Sequence, residues 1–240
     1  FDGDRDELLK SMPDFGVGTI VDVSATYESC EKVLTLAGKY PHVYAAIGVH
    51  PDEVGELNED KIQHMKELCC NKKVVAVGEI GLDYYWDNEP HEVQQKWFIR
   101  QLELAGEVKK PVIIHSREAA ADTMYIMKNY AQGLGGVIHC YSYSREMAEE
   151  YVKMGFYIGI GGVVTFKNAK KLKDVVAAIP IEKIVLETDC PYMAPEPYRG
   201  KRNQSSYIRY VAEKIAELKE MSPEEVIAVT EKNARDLYGI

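Results

Sequence analysis

The sequence has neither an excess of basic residues nor long apolar runs. These two absences argue against whole classes of binding partner. Its 240 residues carry 29 Lys and Arg against 38 Asp and Glu, a formal net charge of −9. Such a surface repels polyanions, which argues against nucleic-acid binding through a general basic face but permits local exceptions. Because no apolar run approaches the roughly 20 residues needed to span a bilayer, no membrane partner is expected.

Cysteine is also scarce. The five cysteines form an odd set without the spacing of a disulfide framework or a zinc finger, and Cys69 and Cys70 are adjacent. No secretory signal peptide is visible. A reducing, cytoplasmic location is therefore the simplest expectation, and we expect a monomer.

What the sequence does contain is a series of apolar strands that run into potential metal ligands. A strand that begins at Val74 reaches Glu79, and three later strands reach His115, His139 and Asp189. An unpaired buried carboxylate is costly, so Glu79, which we expect to end its strand, needs a partner such as a cation. A single strand-end histidine is more often structural, but four such endings in one chain favour a metal site.

Strand and helix patterns alternate along the chain, which predicts a parallel sheet with right-handed crossovers. The other predicted strands are 19–23, 43–50, 111–115, 136–139, 156–160 and 184–189. The predicted helices are 4–15, 27–39, 59–70, 90–109, 117–130, 144–154, 168–178, 206–219 and 223–238. No linker is visible, so we expect one domain over residues 1–240.

The fold class expected is α/β, a TIM (β/α) barrel that lacks its first strand in this chain. A closed parallel barrel has eight strands, and the sequence supplies about seven. The missing strand is expected upstream of Phe1. Because parallel strands align their carboxyl ends, the four polar side chains should meet where such barrels place their active sites.

Several motifs are similar to those of the TatD family of metal-dependent hydrolases. They are Gly48-Val-His-Pro51, Gly78-Glu-Ile-Gly-Leu-Asp-Tyr84, Pro111-Val-Ile-Ile-His-Ser-Arg117, His139-Cys-Tyr-Ser142, Glu187-Thr-Asp-Cys-Pro-Tyr192 and Tyr198-Arg-Gly-Lys-Arg-Asn203. The resemblance covers nearly the whole chain. It implies a TIM-barrel hydrolase with one or two divalent metal ions, of which Mg, Mn, Zn and Ni are candidates. Members include magnesium-dependent deoxyribonucleases, often 3′-to-5′ exonucleases, so the implied partner is DNA or another phosphodiester.

The resemblance also implies roles for four residues. Glu79 matches a carboxylate that can bridge two metals, and His115 and His139 match ligands of the second metal. Asp189 matches a ligand of the first metal that holds the attacking water and takes its proton, so Glu79 and Asp189 are the expected catalytic residues. The family's first strand carries a His-x-His pair that this sequence lacks. Residues 204 and 205 are Gln and Ser, where the family usually has Glu-Pro.

Five residues are candidates for substrate binding. Arg117, Arg199, Lys201 and Arg202 offer cations to phosphate oxygens, although the last three would also suit a solvated loop. His50 follows a strand at the expected end, so it either contacts phosphate or supports a ligand, or it stabilises the turn before Pro51.

Two further side-chain groups have less certain roles. Asp83 with Tyr84, Tyr85 and Trp86 could form a rim that stacks on a base, but we favour aromatics that pack the loop onto the barrel. Glu187 shares a face with Asp189 and is expected to support a ligand or a neighbouring cation.

Two other functions compete with a DNA phosphodiesterase. An amidohydrolase-like enzyme that cleaves a small-molecule amide or ester shares the ligand pattern, but such enzymes usually carry a lysine where Glu79 stands. A non-enzymatic binding module is supported only by the missing His-x-His pair.

Overall fold

The computed structural model describes residues 1–86 and 88–240, in which strands and helices alternate as predicted. The strands are β1 (Ile20–Val23), β2 (Val43–Ile47), β3 (Val74–Asp83), β4 (Val112–Arg117), β5 (Gly136–Ile138), β6 (Tyr157–Ile160) and β7 (Ile184–Leu186). The helices are α1 (Arg5–Ser11), α2 (Tyr27–Lys39), α3 (Glu59–Leu68), α4 (His91–Val108), α5 (Ala120–Tyr130), α6 (Arg145–Lys153), α7 (Lys170–Ala178), α8 (Ile208–Lys219) and α9 (Pro223–Tyr238). This alternation confirms the predicted α/β class.

The chain divides into two compact units. The first unit comprises Thr19–Val137 with Tyr238–Ile240, and the second comprises Phe1–Gly18 with Ile138–Leu237. In the first unit β1, β2, β3 and β4 pair in parallel in chain order. In the second unit β6 and β7 pair in parallel. The single domain predicted over residues 1–240 stays a prediction.

Strand β3 is the most deeply buried strand of the first unit. Every residue from Val74 to Asp83 except Glu79 is buried. Helix α4 packs against β3 with Trp97 and Phe98 among its buried side chains. A continuous apolar strand covered on both faces is what a parallel sheet flanked by helices requires.

The prediction that Glu79 ends its strand is wrong, because β3 continues to Asp83. Ile80 and Leu82 are fully buried and extend the apolar run beyond Glu79. The register with β4 shifts between Val77 and Ile80, where β3 carries one residue more than its partner strand. A β-bulge of this kind redirects a side chain, here at Glu79.

Several other elements are shorter than predicted. The strand predicted over 43–50 ends at Ile47, and the strand predicted over 184–189 ends at Leu186. The helix predicted over 4–15 becomes 3₁₀ after Ser11, and the helix predicted over 117–130 begins at Ala120. Among the described helices, none has both the length and the apolar character to cross a bilayer.

Candidate metal centre

The first unit places the imidazole of His115 between two carboxylates. Glu79 Oε1 lies 2.8 Å from His115 Nδ1, and Asp83 Oδ2 lies 3.0 Å from His115 Nε2. Strand register explains the arrangement, since Gly81 pairs with His115 and the two acids lie two residues to either side of Gly81. Alternation along β3 puts these side chains on the face of Gly81, where the absence of a side chain lets the backbone of His115 approach closely.

Asp83 is held from several directions. Its side chain is 1% exposed, and its Oδ1 accepts hydrogen bonds from the amides of Tyr85 and Trp86. Gln94 from α4 accepts from the Asp83 amide and donates to its carbonyl oxygen. Burial raises the pKa of Asp83, but the hydrogen bonds from His115 and the two amides outweigh it, so the pKa lies below its usual value. The carboxylate therefore stays ionised beside His115.

His50 also belongs to this region. Its ring centroid lies 4.4 Å from that of His115, and its Nδ1 accepts a hydrogen bond from the Asp52 amide. One donor atom from each of His50, Asp83 and His115 lies within 4.8 Å of the others, a spacing that suits a cation. His50 therefore stabilises the turn that follows it and also lies beside His115, while its contact with phosphate stays a prediction.

Asp52 is an unusual carboxylate beside His50. Its Oδ2 lies 3.6 Å from His50 Nδ1, whereas its buried Oδ1 has no hydrogen-bond partner among the described residues. Burial, together with the charge of Asp83, raises the pKa of Asp52 to about 6. A negative charge on Asp52 is therefore poorly compensated by the protein, which a nearby cation would correct.

The second unit holds a matching set around His139. Glu187 Oε2 lies 2.8 Å from His139 Nδ1, and Glu187 Oε1 accepts from the Cys140 amide at 2.6 Å. The opposite ring nitrogen, Nε2, lies 3.9 Å from Asp189 Oδ1. One donor atom each from His139, Cys140 and Asp189 lies within 4.8 Å of the others.

The backbone at Asp189 is unusual for a residue with a side chain. Its φ is 54°, in the left-handed region that non-glycine residues rarely adopt. The fully buried Asn203 donates to the carbonyl oxygens of Thr188 and Tyr192, on either side of Asp189. Such conformations persist only where surrounding contacts enforce them, and they cluster at functional sites.

Both donor sets fit a divalent cation by their chemistry. Imidazole with carboxylate suits zinc, manganese, nickel or iron, and the carboxylate oxygens also suit magnesium. The 3.9 Å between His139 Nε2 and Asp189 Oδ1 is within the reach of two ligands that each bind at about 2.1 Å. In each set a carboxylate contacts the second ring nitrogen of the histidine, as is usual for metal-binding histidines.

The structure thus brings Glu79 next to His115 in one unit and His139 near Asp189 in the other. That all four of these residues meet at one metal site stays a prediction. From the sequence, Asp83 is considered only with the neighbouring aromatic residues. Alternation along β3 puts its side chain on the same face of the strand as Glu79, and the structure places it beside His115. Glu187 does contact a predicted ligand, as its position two residues before Asp189 suggested.

The candidate substrate-binding cations lie in different surroundings. The guanidinium of Arg117 lies 3.8 Å from the ring centroid of Tyr85. That of Arg199 lies 4.1 Å from the ring centroid of Phe166. Arg202 donates to Asp4, with one contact at 3.0 Å, and Lys201 is exposed. Their roles in substrate binding stay predictions.

For two of the aromatic residues, the expected packing of the loop stays a prediction. Tyr85 is 54% exposed and Trp86 is 58% exposed, so neither packs into a core. Tyr84 does serve packing, since it stacks on His91 at 3.5 Å and its hydroxyl donates to Asp122.

Together, the parallel α/β fold and the two imidazole–carboxylate sets define a class of protein, the metal-dependent hydrolases. The chain matches the TatD related DNase family over residues 1–239. It is 45% identical over 241 residues to the uncharacterized metal-dependent hydrolase YabD of Bacillus subtilis (strain 168), with 100% of this chain and 94% of YabD covered. It is 37% identical over 238 residues to the uncharacterized metal-dependent hydrolase YcfH of Escherichia coli (strain K12), with 99% and 89% covered.

Solved structures agree with this classification. The crystal structure of YjjV, a TatD homologue from Escherichia coli K12, is similar with a TM-score of 0.93 at 33% identity and covers 100% of this chain and 93% of YjjV. The chain belongs to the TatD family. The predicted TIM-barrel type of fold is thereby confirmed, with seven strands in the described residues where a closed barrel has eight.

Proposed function

We propose that this protein is a divalent-metal-dependent phosphodiesterase that removes nucleotides from the 3′ end of DNA. The main support is that a carboxylate fixes the orientation of each imidazole. Asp83 contacts His115 Nε2, and Glu187 contacts His139 Nδ1. Membership of a family described as TatD related DNases supports a phosphodiester substrate. Glu79, His115, His139 and Asp189 are the proposed ligands of one or two divalent ions.

A bound divalent cation lowers the pKa of a coordinated water and neutralises charge that develops on a phosphate. In this proposal Asp189 accepts the proton of the attacking water. Its side chain is 34% exposed, so solvent reaches the carboxylate from which the proton must later leave. Glu79 would hold the cation that neutralises the phosphate, and Arg117 would neutralise a phosphate oxygen. These local positive charges compensate for the acidic surface of the chain.

The test is hydrolysis of a 5′-labelled single-stranded DNA by the purified protein, with Mg²⁺, Mn²⁺, Zn²⁺ or Ni²⁺. We expect shortening from the 3′ end with mononucleotide release, slowed roughly 100-fold or more by Asp189→Asn because a proton acceptor is lost. Asp174→Asn, an exposed change on α7, is the matched control. Absence of mononucleotides with every metal, or equal release by Asp189→Asn, would refute the proposal.

The same protein preparations can distinguish the amidohydrolase-like alternative from the proposed phosphodiesterase. A panel of cyclic amides and phosphoesters, each tested with the four metals, should show hydrolysis of the phosphoesters alone. Cleavage of an amide without cleavage of DNA would favour the alternative.

A further inference from the structure

An exposed pair of aromatic rings lies beside the first donor set. Tyr85 and Trp86 contact each other edge to face, with ring centroids 5.0 Å apart and an interplanar angle of 88°. The guanidinium of Arg117 lies 3.8 Å from the Tyr85 centroid and 5.4 Å from the Trp86 centroid. We call these three residues the aromatic rim.

Burial in a core does not explain the rim, because Tyr85 and Trp86 are each more than half exposed. Trp97, the other tryptophan of the chain, is only 5% exposed and shows how a structural tryptophan is buried here. Arg117 covers one side of Tyr85, and the exposed remainder of both rings is open to a planar ligand. Exposed apolar surface next to polar groups commonly marks a binding site.

The backbone that carries the rim is fixed by hydrogen bonds. Asp83 Oδ1 accepts from the amide of Tyr85 at 2.9 Å and from that of Trp86 at 3.3 Å. Arg117 is the register partner of Asp83, and the amide of Tyr84 donates to the Arg117 carbonyl oxygen. The rim is therefore anchored to the ends of β3 and β4, so a ligand would not have to order this part of the backbone.

The same carboxylate connects the rim to the candidate metal centre. While Asp83 Oδ1 holds the two rim amides, Asp83 Oδ2 lies 3.0 Å from His115 Nε2. The backbone that carries the two rings is thus joined to His115 through a single side chain. In a nucleic acid strand the group next to a phosphate is a sugar, which carries a nucleobase.

We propose that the aromatic rim is a nucleobase subsite that stacks one base of a single-stranded DNA next to the phosphate to be cleaved. The inference rests on the proposed function and specifies its substrate. Bases stack on aromatic rings and on arginine planes irrespective of sequence, which gives affinity where the net charge of −9 opposes general binding to phosphates. Bases within a duplex are already stacked and paired, so the rim favours single strands.

The test measures binding in Ca²⁺, which carboxylate oxygens can hold, over a time in which the strands are recovered intact. The ligands are an oligothymidylate of about eight nucleotides and an abasic strand of equal length, which has the same phosphates but no bases. Because Trp97 is buried, quenching of tryptophan fluorescence by the oligothymidylate should report Trp86. Fluorescence anisotropy of labelled strands gives both dissociation constants independently.

We expect the wild type to prefer the oligothymidylate by about tenfold, or about 1.4 kcal/mol, which is a typical effect of stacking one base. Tyr85→Ala with Trp86→Ala should remove this preference and leave binding of the abasic strand unchanged. Tyr125→Ala, which removes a tyrosine 65% exposed on α5, is the matched control and should keep the preference. Equal unfolding midpoints of the variants would confirm that they fold.

Three outcomes would overturn the proposed nucleobase subsite. They are binding of neither strand, equal binding of both strands, and a preference that survives in the double variant. These outcomes are separate from failure of the proposed function. A protein that prefers oligothymidylate but hydrolyses no DNA refutes the nuclease and keeps the rim. A protein that hydrolyses DNA without the preference refutes the rim alone.

Discussion

At the scale of single residues, Glu187 fixes an imidazole and the adjacent backbone at the same time. One of its oxygens contacts His139 Nδ1 and the other accepts from the Cys140 amide. Gly159 makes the position possible, since a Cβ there would lie 2.5 Å from Glu187 Oε2. With Nδ1 held in this way, the remaining ring nitrogen is directed towards Asp189.

Replacing Glu187 tests whether this carboxylate prepares His139 to bind a cation. Glu187→Gln keeps the shape but removes the charge and one acceptor, so we expect affinity for Mn²⁺ or Zn²⁺ to fall about 10- to 100-fold. Competition with a chelating dye measures this without any assay of activity. Glu182→Gln, an exposed change in the same unit, is the control and should bind as the wild type does. An unchanged affinity in Glu187→Gln would show that the contact is only structural.

At the scale of elements, the approach of β3 to β4 depends on Gly81. Its φ is 147°, and a Cβ there would lie 1.9 Å from the carbonyl oxygen of His115. A side chain at position 81 would lie between those of Glu79 and Asp83, but the backbone of His115 occupies that space. The position of His115 between the two acids follows from this single glycine.

Gly81→Ala should therefore destabilise the protein strongly. We expect the free energy of unfolding to fall by about 3 kcal/mol or more, because the strands must separate and the backbone must change conformation. Urea unfolding followed by circular dichroism gives the value. Gly18→Ala, where no atom lies within 4 Å of the added Cβ, should change it by less than about 0.5 kcal/mol. Similar midpoints for the two variants would contradict the role of Gly81.

The elements also show which features a sequence can predict. Apolar runs alternating with helical periodicity predicted the α/β order, because these patterns depend on local spacing. The end of β3 was predicted incorrectly because an acid within a strand looks like a terminus until its partners are known. The bulge at Glu79 depends on register with β4, and the pairing of Asp83 with His115 follows from it. The bulge has no local signal in the sequence, whereas alternation along β3 does put Asp83 on the face of Glu79.

At the scale of the whole molecule, acidic charge and clustered donors make stability sensitive to cations. The chain carries 38 Asp and Glu against 29 Lys and Arg. Screening of this net charge by any salt should raise stability slightly, because self-repulsion falls. A divalent ion that binds the folded chain at its donor sets should act in addition, through mass action.

The effect of a bound divalent ion can be separated from that of salt screening by the shift that each causes in the unfolding temperature. At a free metal concentration 100 times its Kd, we expect Mn²⁺ or Zn²⁺ to stabilise the fold by about 2.7 kcal/mol, and EDTA should reverse the effect. Sodium chloride at equal ionic strength is the solvent control and should give a much smaller shift. The double variant Glu79→Gln with Asp189→Asn removes one proposed ligand from each unit and should lose most of the metal-specific part. If sodium matched the divalent ion, or if the double variant kept the full shift, the cation would be acting on the surface charge and not at the donor sets.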